Sequence, residues 1–255
     1  MTAKPETLSA RQQRIVAWIE EQGYATLEAL AHHLQVSMQT VRREVICLDA
    51  SGHLQRFHGG AGRTDGRVRL GYGGKSALAR DAKERIAMAA AAAITDGAAV
   101  FLDVGTTVEA IARALIARKD LRIITNSLNS ARIFQDHPSC STFVLGGTLR
   151  GPDGSLVGDL TTTTLQQFKA DVAIIGCSAI EADGSVMDYD VDKIAVKRAA
   201  IAGARQSCLV ADAAKFTRHA VTCIAALADF TALITDTPPP ANVIAALGGC
   251  RLVVA

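Results

Sequence analysis

The stretch from Ser37 to Gly60, SMQTVRREVICLDASGHLQRFHGG, constrains the fold of this chain more than any other part of the sequence. The hydroxyl of Ser37 can accept a hydrogen bond from a free amide of the next turn, which predicts that a helix begins there. Val41, Val45 and Leu48 recur at helical spacing and form one apolar stripe. The helix is therefore predicted to bury that stripe and to present a polar, cationic surface near its start: Gln39, Thr40, Arg42 and Arg43.

This surface has the chemistry of a DNA-reading helix. Gln and Arg side chains can form paired hydrogen bonds with adenine and guanine edges in the major groove, and Thr and Arg can bind phosphates. A solvated helix face is the alternative for such a run taken alone. The preceding segment, Thr26 to Leu34, also reads as a helix, and the tight Gln35-Val36 turn between the two gives helix-turn-helix spacing.

The residues after the reading helix predict a wing. Gly52 can end the helix in the left-handed conformation, and Leu54 to Phe57 alternate apolar and polar side chains before a pair of glycines. The run TVRREVICLDASGHLQRFHGGA resembles the DeoR-family signature, a Thr-hydrophobic-Arg-Arg-acid helix followed by a Gly-hydrophobic-x-Arg-x-His-Gly-Gly-Ala wing. The resemblance implies binding to double-stranded operator DNA. The expected DNA-binding residues are Ser37, Gln39, Thr40, Arg42, Arg43, Arg56, His58, Gly59 and Gly60.

Composition limits how DNA could be held. The chain has 255 residues, 49% of them hydrophobic and 20% charged, enough for one small domain and one larger domain with a core. Its formal net charge is only +2, and this excess lies within residues 1–70. DNA affinity is therefore expected to come from the local arrangement of arginines and from dimerisation.

Cysteine usage and hydropathy indicate the compartment. The six cysteines include no Cys-x-x-Cys pair and mostly lie in apolar runs, so they are expected to be reduced core thiols. Residues 1–9 have no apolar core, and no long uncharged apolar run follows. A cytoplasmic protein without a membrane partner is expected. No metal site and no cofactor are predicted, because the spacing of metal ligands is absent.

The remaining pattern divides the chain. Leu8 to Gln22 predicts a first helix, with Ser9 as its cap and Trp18 as the core anchor. Residues 1–60 are expected to form a winged helix-turn-helix domain and residues 61–76 a Gly/Arg-rich linker. Residues 77–255 are expected to form an effector-binding sensor and oligomerisation domain, and a long alanine-rich helix is expected from Lys75 to Ile94.

The sensor shows a recurring unit in which an apolar run ends in small polar residues and a helix follows. This pattern predicts an α/β domain with a mainly parallel sheet that binds its ligand past the carboxyl ends of the strands. The six runs are Val100–Leu102, Ile123–Ile124, Phe143–Leu145, Val172–Ile175, Cys208–Val210 and Leu233–Ile234.

The turn DVGTT, Asp103 to Thr107, is the sharpest candidate for an anion site. Gly105 allows close backbone approach, the threonines supply donors, and the positive end of the following helix favours a phosphate. Helix capping is the alternative role for such a turn. Lys215 would add a mobile cation, or else is an exposed lysine at a helix start. The expected effector-binding residues are Asp103, Gly105, Thr106, Thr107, Thr125, Asn126, Ser127, Gly146, Gly147, Ser178, Asp212 and Lys215.

A second resemblance covers the sensor. The segments LDVGTT, ITNS, LGGTL, DVAIIGCSAI, VKRA and VADAAKF are similar, in order, to the DeoR-type sensor domain, which is related to ribose-5-phosphate isomerase-like folds. In those isomerases a Gly-Ala-Asp-Glu strand end carries a catalytic carboxylate, whereas residues 176–179 read GCSA here. Sugar isomerisation needs a general base, so this departure argues against it, and no catalytic residue is predicted. Cys177 is expected to be a packed thiol.

The expected function is a repressor of a carbohydrate or polyol catabolic operon that is relieved by a phosphorylated metabolite. EADGSVMDYD and TDTPPP resemble the branch of the family that answers to sn-glycerol 3-phosphate, which makes this the preferred effector. Another sugar or polyol phosphate is the alternative, and the rival from another class is a sugar-phosphate isomerase with a DNA-binding head. A homodimer and a homotetramer both remain open.

Overall fold

A computed structural model describes residues 8–22, 24–57, 60–62, 79–151 and 153–255. The chain divides into two compact units, Met1–Ala79 and Arg80–Ala255. His58, Gly59 and residues 63–76 of the predicted linker lie outside the described residues. Within the ranges that are described, no helix is long and apolar enough to cross a membrane.

The described part of the first unit contains three helices and a small antiparallel sheet. In chain order its elements are α1 (Ala10–Gln22), β1 (Tyr24–Thr26), α2 (Leu27–Leu34), α3 (Met38–Ala50), β2 (Gln55–Phe57) and β3 (Gly60–Gly62). The strands lie in the order β1-β3-β2, and both pairings are antiparallel. The predicted helix-turn-helix and wing are thereby confirmed as structure. Ala61 and Gly62, which the sequence placed in the linker, pair within β3.

The core of this unit differs from the prediction at Trp18. Ile15 and Ile19 are fully buried, whereas Trp18 is only partly buried and its ring lies against that of His33, with the centroids 3.8 Å apart. The prediction that Trp18 anchors the core was therefore wrong in degree. Ser9 does cap α1, since its hydroxyl accepts from the amide of Gln12 at 3.2 Å while the Gln12 side chain accepts from the Ser9 amide at 2.9 Å.

The second unit is an α/β domain. Its helices are α4 (Arg80–Ala92), α5 (Thr106–Leu115), α6 (Leu128–Ile133), α7 (Asp159–Leu165), α8 (Val191–Gly203) and α9 (Ala241–Ala245), with 3-10 turns at Ala213–Thr217 and Leu227–Asp229. Its strands are β4 (Ala99–Leu102), β5 (Arg122–Thr125), β6 (Ser141–Val144), β7 (Thr148–Arg150), β8 (Ser155–Val157), β9 (Val172–Gly176), β10 (Ala179–Ile180), β11 (Ser185–Asp188), β12 (Gln206–Val210), β13 (Thr222–Ala226), β14 (Ala232–Thr235) and β15 (Arg251–Val254).

Seven strands form one parallel sheet in the order β15-β14-β12-β9-β4-β5-β6. Alternate residues of β4 point to opposite faces: Phe101 packs with residues of α8, whereas Val100 and Leu102 pack with residues of α4 and α5. The sheet is covered on both faces, which explains the continuous apolar strands. The predicted fold class is confirmed.

The regular alternation of strand and helix fails in three places. Between β12 and β14 the connection contains β13 and two 3-10 turns in place of an α-helix. The hairpin β7–β8 intervenes between β6 and α7, and β10 and β11 intervene between β9 and α8. Strand β15 was not predicted, because its run RLVV ends the chain without the polar turn by which the other strands were recognised. All six cysteines are free, but only Cys208 and Cys250 are buried, so the expectation of core thiols was wrong for the exposed Cys47 and Cys223.

Candidate DNA-reading helix and effector site

The reading helix α3 begins as its sequence predicts. The Ser37 hydroxyl accepts from the amide of Thr40 at 3.2 Å and lies 2.9 Å from the Thr40 hydroxyl. Val41, Val45 and Leu48 are fully buried. Gln39, Arg42 and Arg43 are exposed on the other face. Polar groups able to reach a DNA groove are therefore displayed together.

Two local features hold α2 and the turn that follows it in place before α3: a helix cap and a left-handed residue. Thr26 caps α2 by accepting from the amide of Ala29 at 3.0 Å. Gln35 takes the left-handed conformation at φ 55°, and its amide donates to the carbonyl of His32. Because these contacts are local, they set the angle between α2 and α3 within the domain.

The wing contains part of the predicted DNA-binding set. Arg56 lies in β2 opposite Ala61, and Gly60 in β3 stands opposite both Phe57 and Thr26. Gly60 is thus part of a central strand. The roles predicted for Arg56, His58, Gly59 and Gly60 toward DNA stay predictions.

The sheet topology brings most of the predicted effector residues to one edge. Strands β12, β9, β4 and β5 are neighbours, so the turns after their carboxyl ends lie side by side. These turns hold Asp212, Ser178, Asp103 and Asn126. This edge is where ligands of parallel sheets bind.

Asp103 is fully buried and paired with Lys197, a residue of α8 that the sequence analysis did not single out. Lys197 also donates to the Gly176 carbonyl at 2.9 Å and lies 3.6 Å from a carboxylate oxygen of Asp188. Burial opposes the charge on Lys197, but the two carboxylates outweigh it and raise its pKa to about 12. Burial raises the pKa of Asp103, while Lys197 acts in the opposite direction.

Two acceptors at this edge are buried and unsatisfied. Asp103 uses its Oδ2 atom for Lys197 and for the amide of Gly176 at 3.1 Å. Its Oδ1 atom, like Oδ1 of Asn126, has no hydrogen bond of normal geometry among the described residues, although both side chains are fully buried. The nearby amide of Val104 helps to lower the pKa of Asp103 but is not aligned for such a bond. A buried acceptor without a donor is costly, so these oxygens suit a ligand that brings hydroxyl donors.

The hydroxyls of Thr125 and Ser127 are engaged inside the protein. Thr125 donates to the carbonyl of Leu102 at 2.6 Å and accepts from the amide of Ser127 at 3.0 Å. Ser127 caps α6 by accepting from the amide of Ser130 at 3.1 Å. These contacts hold the turn after β5 in place and aim Asn126.

The turn after β4 leads through Gly105 directly into α5. Gly105 is the N-cap residue of α5, and its φ of 123° is one that residues with a side chain rarely adopt. Thr107 is buried and Thr106 is partly buried at the start of this ten-residue helix. The amino terminus of α5 therefore carries its positive dipole end at the same edge.

The other predicted residues also have defined positions. A Cβ on Gly147, where φ is 146°, would meet Oγ1 of Thr161 at 2.1 Å, so only glycine fits there. The Gly146 carbonyl accepts from that same Thr161 hydroxyl at 2.6 Å. Ser178 donates to Asp188 at 2.7 Å. Gly146, Gly147 and Ser178 thus shape the turns around the site.

Lys83 on α4 is the most informative residue that the sequence analysis missed. It is only 6% exposed, and burial lowers its pKa to about 8. Asp212 raises this pKa, Lys215 and Arg218 lower it further, and Glu109 raises it. Two other cations and two carboxylates therefore lie close enough to Lys83 to change its pKa. A charge on the buried stripe of Ile86, Ala87 and Ala90 was the signal that could have identified Lys83.

Asp212 and Lys215 are positioned by a 3-10 turn. Asp212 is buried and accepts from the amide of Ala214 at 3.1 Å, while the amide of Lys215 donates to the Asp212 carbonyl at 2.9 Å. Lys215 is partly buried. Cys177, which was expected to be a packed thiol, is partly buried, and burial raises the pKa of its thiol to about 12, which disfavours the reactive thiolate.

An open groove of about 540 Å³ lies elsewhere, at the amino-terminal ends of β5 and β6. Its lining includes Ile116, Arg118, Arg132 and His137. None of the predicted effector residues takes part in it. In the described part of the chain, no group of three or more His, Cys, Asp or Glu residues could hold a metal ion.

Comparison with known families covers both units. Residues 11–67 match the model of the DeoR-like helix-turn-helix domain, and residues 78–237 match that of the DeoR C terminal sensor domain.

Whole-length relatives are also found. The chain is 40% identical to the glycerol-3-phosphate regulon repressor of Haemophilus influenzae, over 91% of this chain and 90% of that protein. It is 37% identical to the glycerol-3-phosphate regulon repressor of Escherichia coli K12, over 93% and 94%. It is also 40% identical to the HTH-type transcriptional repressor CsqR of Escherichia coli K12, over 92% and 90%.

Similar solved structures include ribose 5-phosphate isomerase A from Methanocaldococcus jannaschii. The two share 15% identity, the match covers 53% of this chain and 54% of the isomerase, and the TM-score is 0.40.

Proposed function

Because the chain belongs to the DeoR family of transcriptional repressors, we propose that it represses an operon for carbohydrate or polyol catabolism and leaves its operator when a phosphorylated metabolite binds. We propose sn-glycerol 3-phosphate as that metabolite. The relatives are named transcriptional repressors, which supports a regulator rather than an enzyme.

The observation that carries the effector class is the cation cluster around Lys83. Burial lowers the pKa of Lys83 to about 8; Asp212 and Glu109 offset this only in part, and Lys215 and Arg218 lower the pKa further. A phosphate dianion would relieve the repulsion among the three cations. Glu109 lies in the first turn of α5 and raises the pKa of Lys83, so the start of this helix lies near the cluster. The positive end of the helix dipole would attract a phosphate, although the Glu109 carboxylate opposes it. Thr106 and Thr107 would supply further donors.

The rest of the ligand would meet acceptors. Oδ1 of Asp103 and Oδ1 of Asn126 have no hydrogen bond of normal geometry among the described residues, and the hydroxyls of a polyol are donors. A molecule with a phosphate at one end and hydroxyls at the other could therefore place its phosphate at the cations around Lys83 and its hydroxyls at Asp103 and Asn126. Gly105, Thr125, Ser127, Gly146, Gly147 and Ser178 would form the walls, and Asp212 would orient Lys215.

Two features support glycerol 3-phosphate within this class. The relatives from Haemophilus influenzae and Escherichia coli are named for the glycerol-3-phosphate regulon. The acceptors that need donors are few, which suits a short polyol. Another sugar or polyol phosphate is the second candidate, since CsqR is equally 40% identical and is not named for glycerol 3-phosphate.

The DNA half of the proposal places α3 in the major groove, with Gln39, Arg42 and Arg43 at base edges and Ser37 and Thr40 at phosphates. The wing, through Arg56, His58, Gly59 and Gly60, would contact the adjacent backbone. Two heads would bind together, as a homodimer or a homotetramer in the cytoplasm.

Isothermal titration of the purified protein tests the effector. We expect sn-glycerol 3-phosphate to bind at least tenfold more tightly than inorganic phosphate, and glycerol not to bind detectably. Tight binding of a hexose phosphate without binding of glycerol 3-phosphate would overturn this choice of effector. Turnover of ribose 5-phosphate in the same preparation would instead support the isomerase alternative.

A gel-shift assay tests the DNA half. The double variant Arg42→Ala/Arg43→Ala should lose most operator affinity, because each arginine contact contributes about 1–3 kcal/mol. Its affinity for the effector should not change. Arg14→Ala removes an exposed cation from α1 and serves as the matched control. Retained operator binding by the double variant would place the reading surface elsewhere.

A further inference from the structure

One edge of the parallel sheet is open. Among the described residues, β6 pairs only with β5. The amide of Ser141 donates to Leu121 and that of Leu145 to Thr125, both at 2.9 Å, so these amides face β5. Successive amides along a strand alternate in direction, which turns those of Thr142 and Val144 toward the free side. Strand β6 therefore offers unpaired backbone donors.

Large apolar side chains are exposed around this edge. The exposed fractions are 46% for Phe143, 40% for Val144, 58% for Leu149, 63% for Leu160 and 36% for Leu128. We call these five residues, with the backbone of β6, the edge surface. Two of its members have neighbours at this edge: the centroid of the Phe143 ring lies 4.7 Å from that of Phe168, and the Leu160 side chain lies against Gly146, which follows β6.

Charge does not protect this edge. Strand β6 has no charged residue. The nearest cations on and beside the hairpin are paired within the protein: Arg150 with Asp190 at 2.9 Å and with Asp192 at 2.7 Å, and Lys193 with Asp153. The opposite edge strand, β15, carries the exposed Arg251. Edge charges discourage strand pairing, so β15 has a protecting device that β6 lacks.

From these features we infer that the edge surface is where a second copy of this chain docks, with two β6 strands pairing in antiparallel fashion about a two-fold axis. A neutral apolar surface meets an identical one without like-charge repulsion, and antiparallel pairing lets each strand use the same donors toward the other. This inference rests on the proposed function, because a repressor with one reading helix per chain needs a second head.

Analytical ultracentrifugation of the full chain tests the inference. The double variant Leu149→Glu/Leu160→Glu places two carboxylates on each copy of the edge surface. We expect its self-association to weaken at least about thirtyfold, the scale of losing a central interface contact. Val221→Glu, at a residue 78% exposed in the same unit, is the matched control and should assemble like the wild type.

A backbone variant separates strand pairing from side-chain packing. Val144→Pro removes an outward amide, and proline is tolerated on an edge strand where that amide faces solvent. It should fold, bind the effector with unchanged affinity and assemble more weakly. Assembly of the double variant at wild-type strength would overturn the inference, as would a wild type that stays monomeric, since the surface would then serve a different protein. If assembly responds as expected but no phosphate ester binds, the proposed function fails and the edge surface stands.

Discussion

Lys83 holds a charge where the fold would favour an apolar side chain. It lies on the stripe of α4 that also buries Ile86, Ala87 and Ala90. Its pKa falls to about 8 because burial disfavours the ammonium form, and the cations of Lys215 and Arg218 act in the same direction. At neutral pH most of the molecules still carry the charge. A bound phosphate would raise this pKa again, so effector binding and protonation of Lys83 are linked.

The linkage predicts how effector affinity changes with pH. Below pH 8 the lysine of the free protein is already charged, and affinity should be nearly constant down to the second ionisation of the phosphate at about 6. Above pH 8 the free protein loses the proton that the complex retains, so affinity should fall by up to about tenfold per pH unit. Isothermal titration from pH 7 to 9.5 measures this fall.

The matched variant is Lys83→Met, which keeps a long side chain and removes the charge. Its affinity should be lower at pH 7, and the decline just above pH 8 should be absent. If the affinity of Lys83→Met falls above pH 8 as steeply as that of the wild type, another group causes the pH dependence. Lys83 would then not be part of the effector site.

The buried pair of Asp103 and Lys197 predicts a second effect. Asp103→Asn would leave Lys197 buried without its main counter-charge, and removing one partner of such a pair costs about 3–5 kcal/mol. Lys197→Met in the same chain removes the remaining charge and should recover part of this loss. Urea unfolding of the sensor unit at pH 7 measures both variants.

Asp192→Asn supplies the control for that experiment. Asp192 is paired with Arg150, but its side chain is 43% exposed, so its loss should cost less than about 1 kcal/mol. If Asp103→Asn unfolds at the wild-type urea concentration, the pair does not stabilise the sensor. If the double variant is no more stable than Asp103→Asn, the cost does not arise from the charge left on Lys197.

The candidate site was predictable from the sequence only in part. Asp103, Asn126 and Asp212 follow apolar strands directly, and the rule for parallel sheets predicts that they share an edge. Lys83 and Lys197 come from helices, and their approach to that edge depends on how α4 and α8 cross the sheet. Local pattern does not encode this crossing, so the sequence analysis missed both lysines.

At the scale of elements, the start of α3 combines two roles in Ser37. Its hydroxyl caps the helix by accepting from the Thr40 amide, and it is also proposed to contact a DNA phosphate. Ser37→Asp separates these roles, because aspartate is an equally good cap but repels phosphate. The variant should unfold like the wild type, yet bind the operator at least about tenfold more weakly. Thermal unfolding and fluorescence anisotropy measure the two quantities.

Ser9 provides the comparison, since it caps α1 and is exposed. Ser9→Asp should leave both stability and operator affinity near the wild-type values. Ser37→Ala should lower the unfolding free energy of the head by about 1 kcal/mol, through loss of the cap. If Ser37→Asp binds the operator as tightly as the wild type, Ser37 does not contact a DNA phosphate.

The sequence pattern predicted some helices and strands and missed others. The buried stripes of α1 and α3 repeat at helical spacing, and six of the seven strands of the parallel sheet are apolar runs that end in polar turns; these elements were predicted. The hairpin β7–β8 was missed because its strands have three residues each and β7 is exposed throughout. Strands this short carry too little alternation to be distinguished from a loop.

At the scale of the whole molecule, effector binding in the sensor unit and DNA binding by the head are proposed to be coupled through a change in free energy. The effector must favour one arrangement by about 1–3 kcal/mol, a typical allosteric coupling, in order to release DNA. Helix α8 is placed to take part: Lys197 reaches Asp103 at the effector edge, while Asp190, Asp192 and Lys193 pair with the hairpin near the edge surface. A ligand that shifts α8 would thus act on the proposed assembly.

The small net charge of the chain fits this view. With a formal charge of only +2, a single head gains little from general electrostatic attraction to DNA, so affinity should depend on two heads held together. Assembly of the sensor then becomes part of DNA recognition. A change in assembly would be enough to release the operator.

The most direct test follows a fluorescent operator fragment by anisotropy while sn-glycerol 3-phosphate is added to its complex with the wild type and with Lys83→Met. Release from the wild type should be half-complete near the effector dissociation constant measured by titration, whereas Lys83→Met should bind the operator equally well and need far more effector for release. An operator complex that persists when the sensor is saturated with glycerol 3-phosphate would contradict the account.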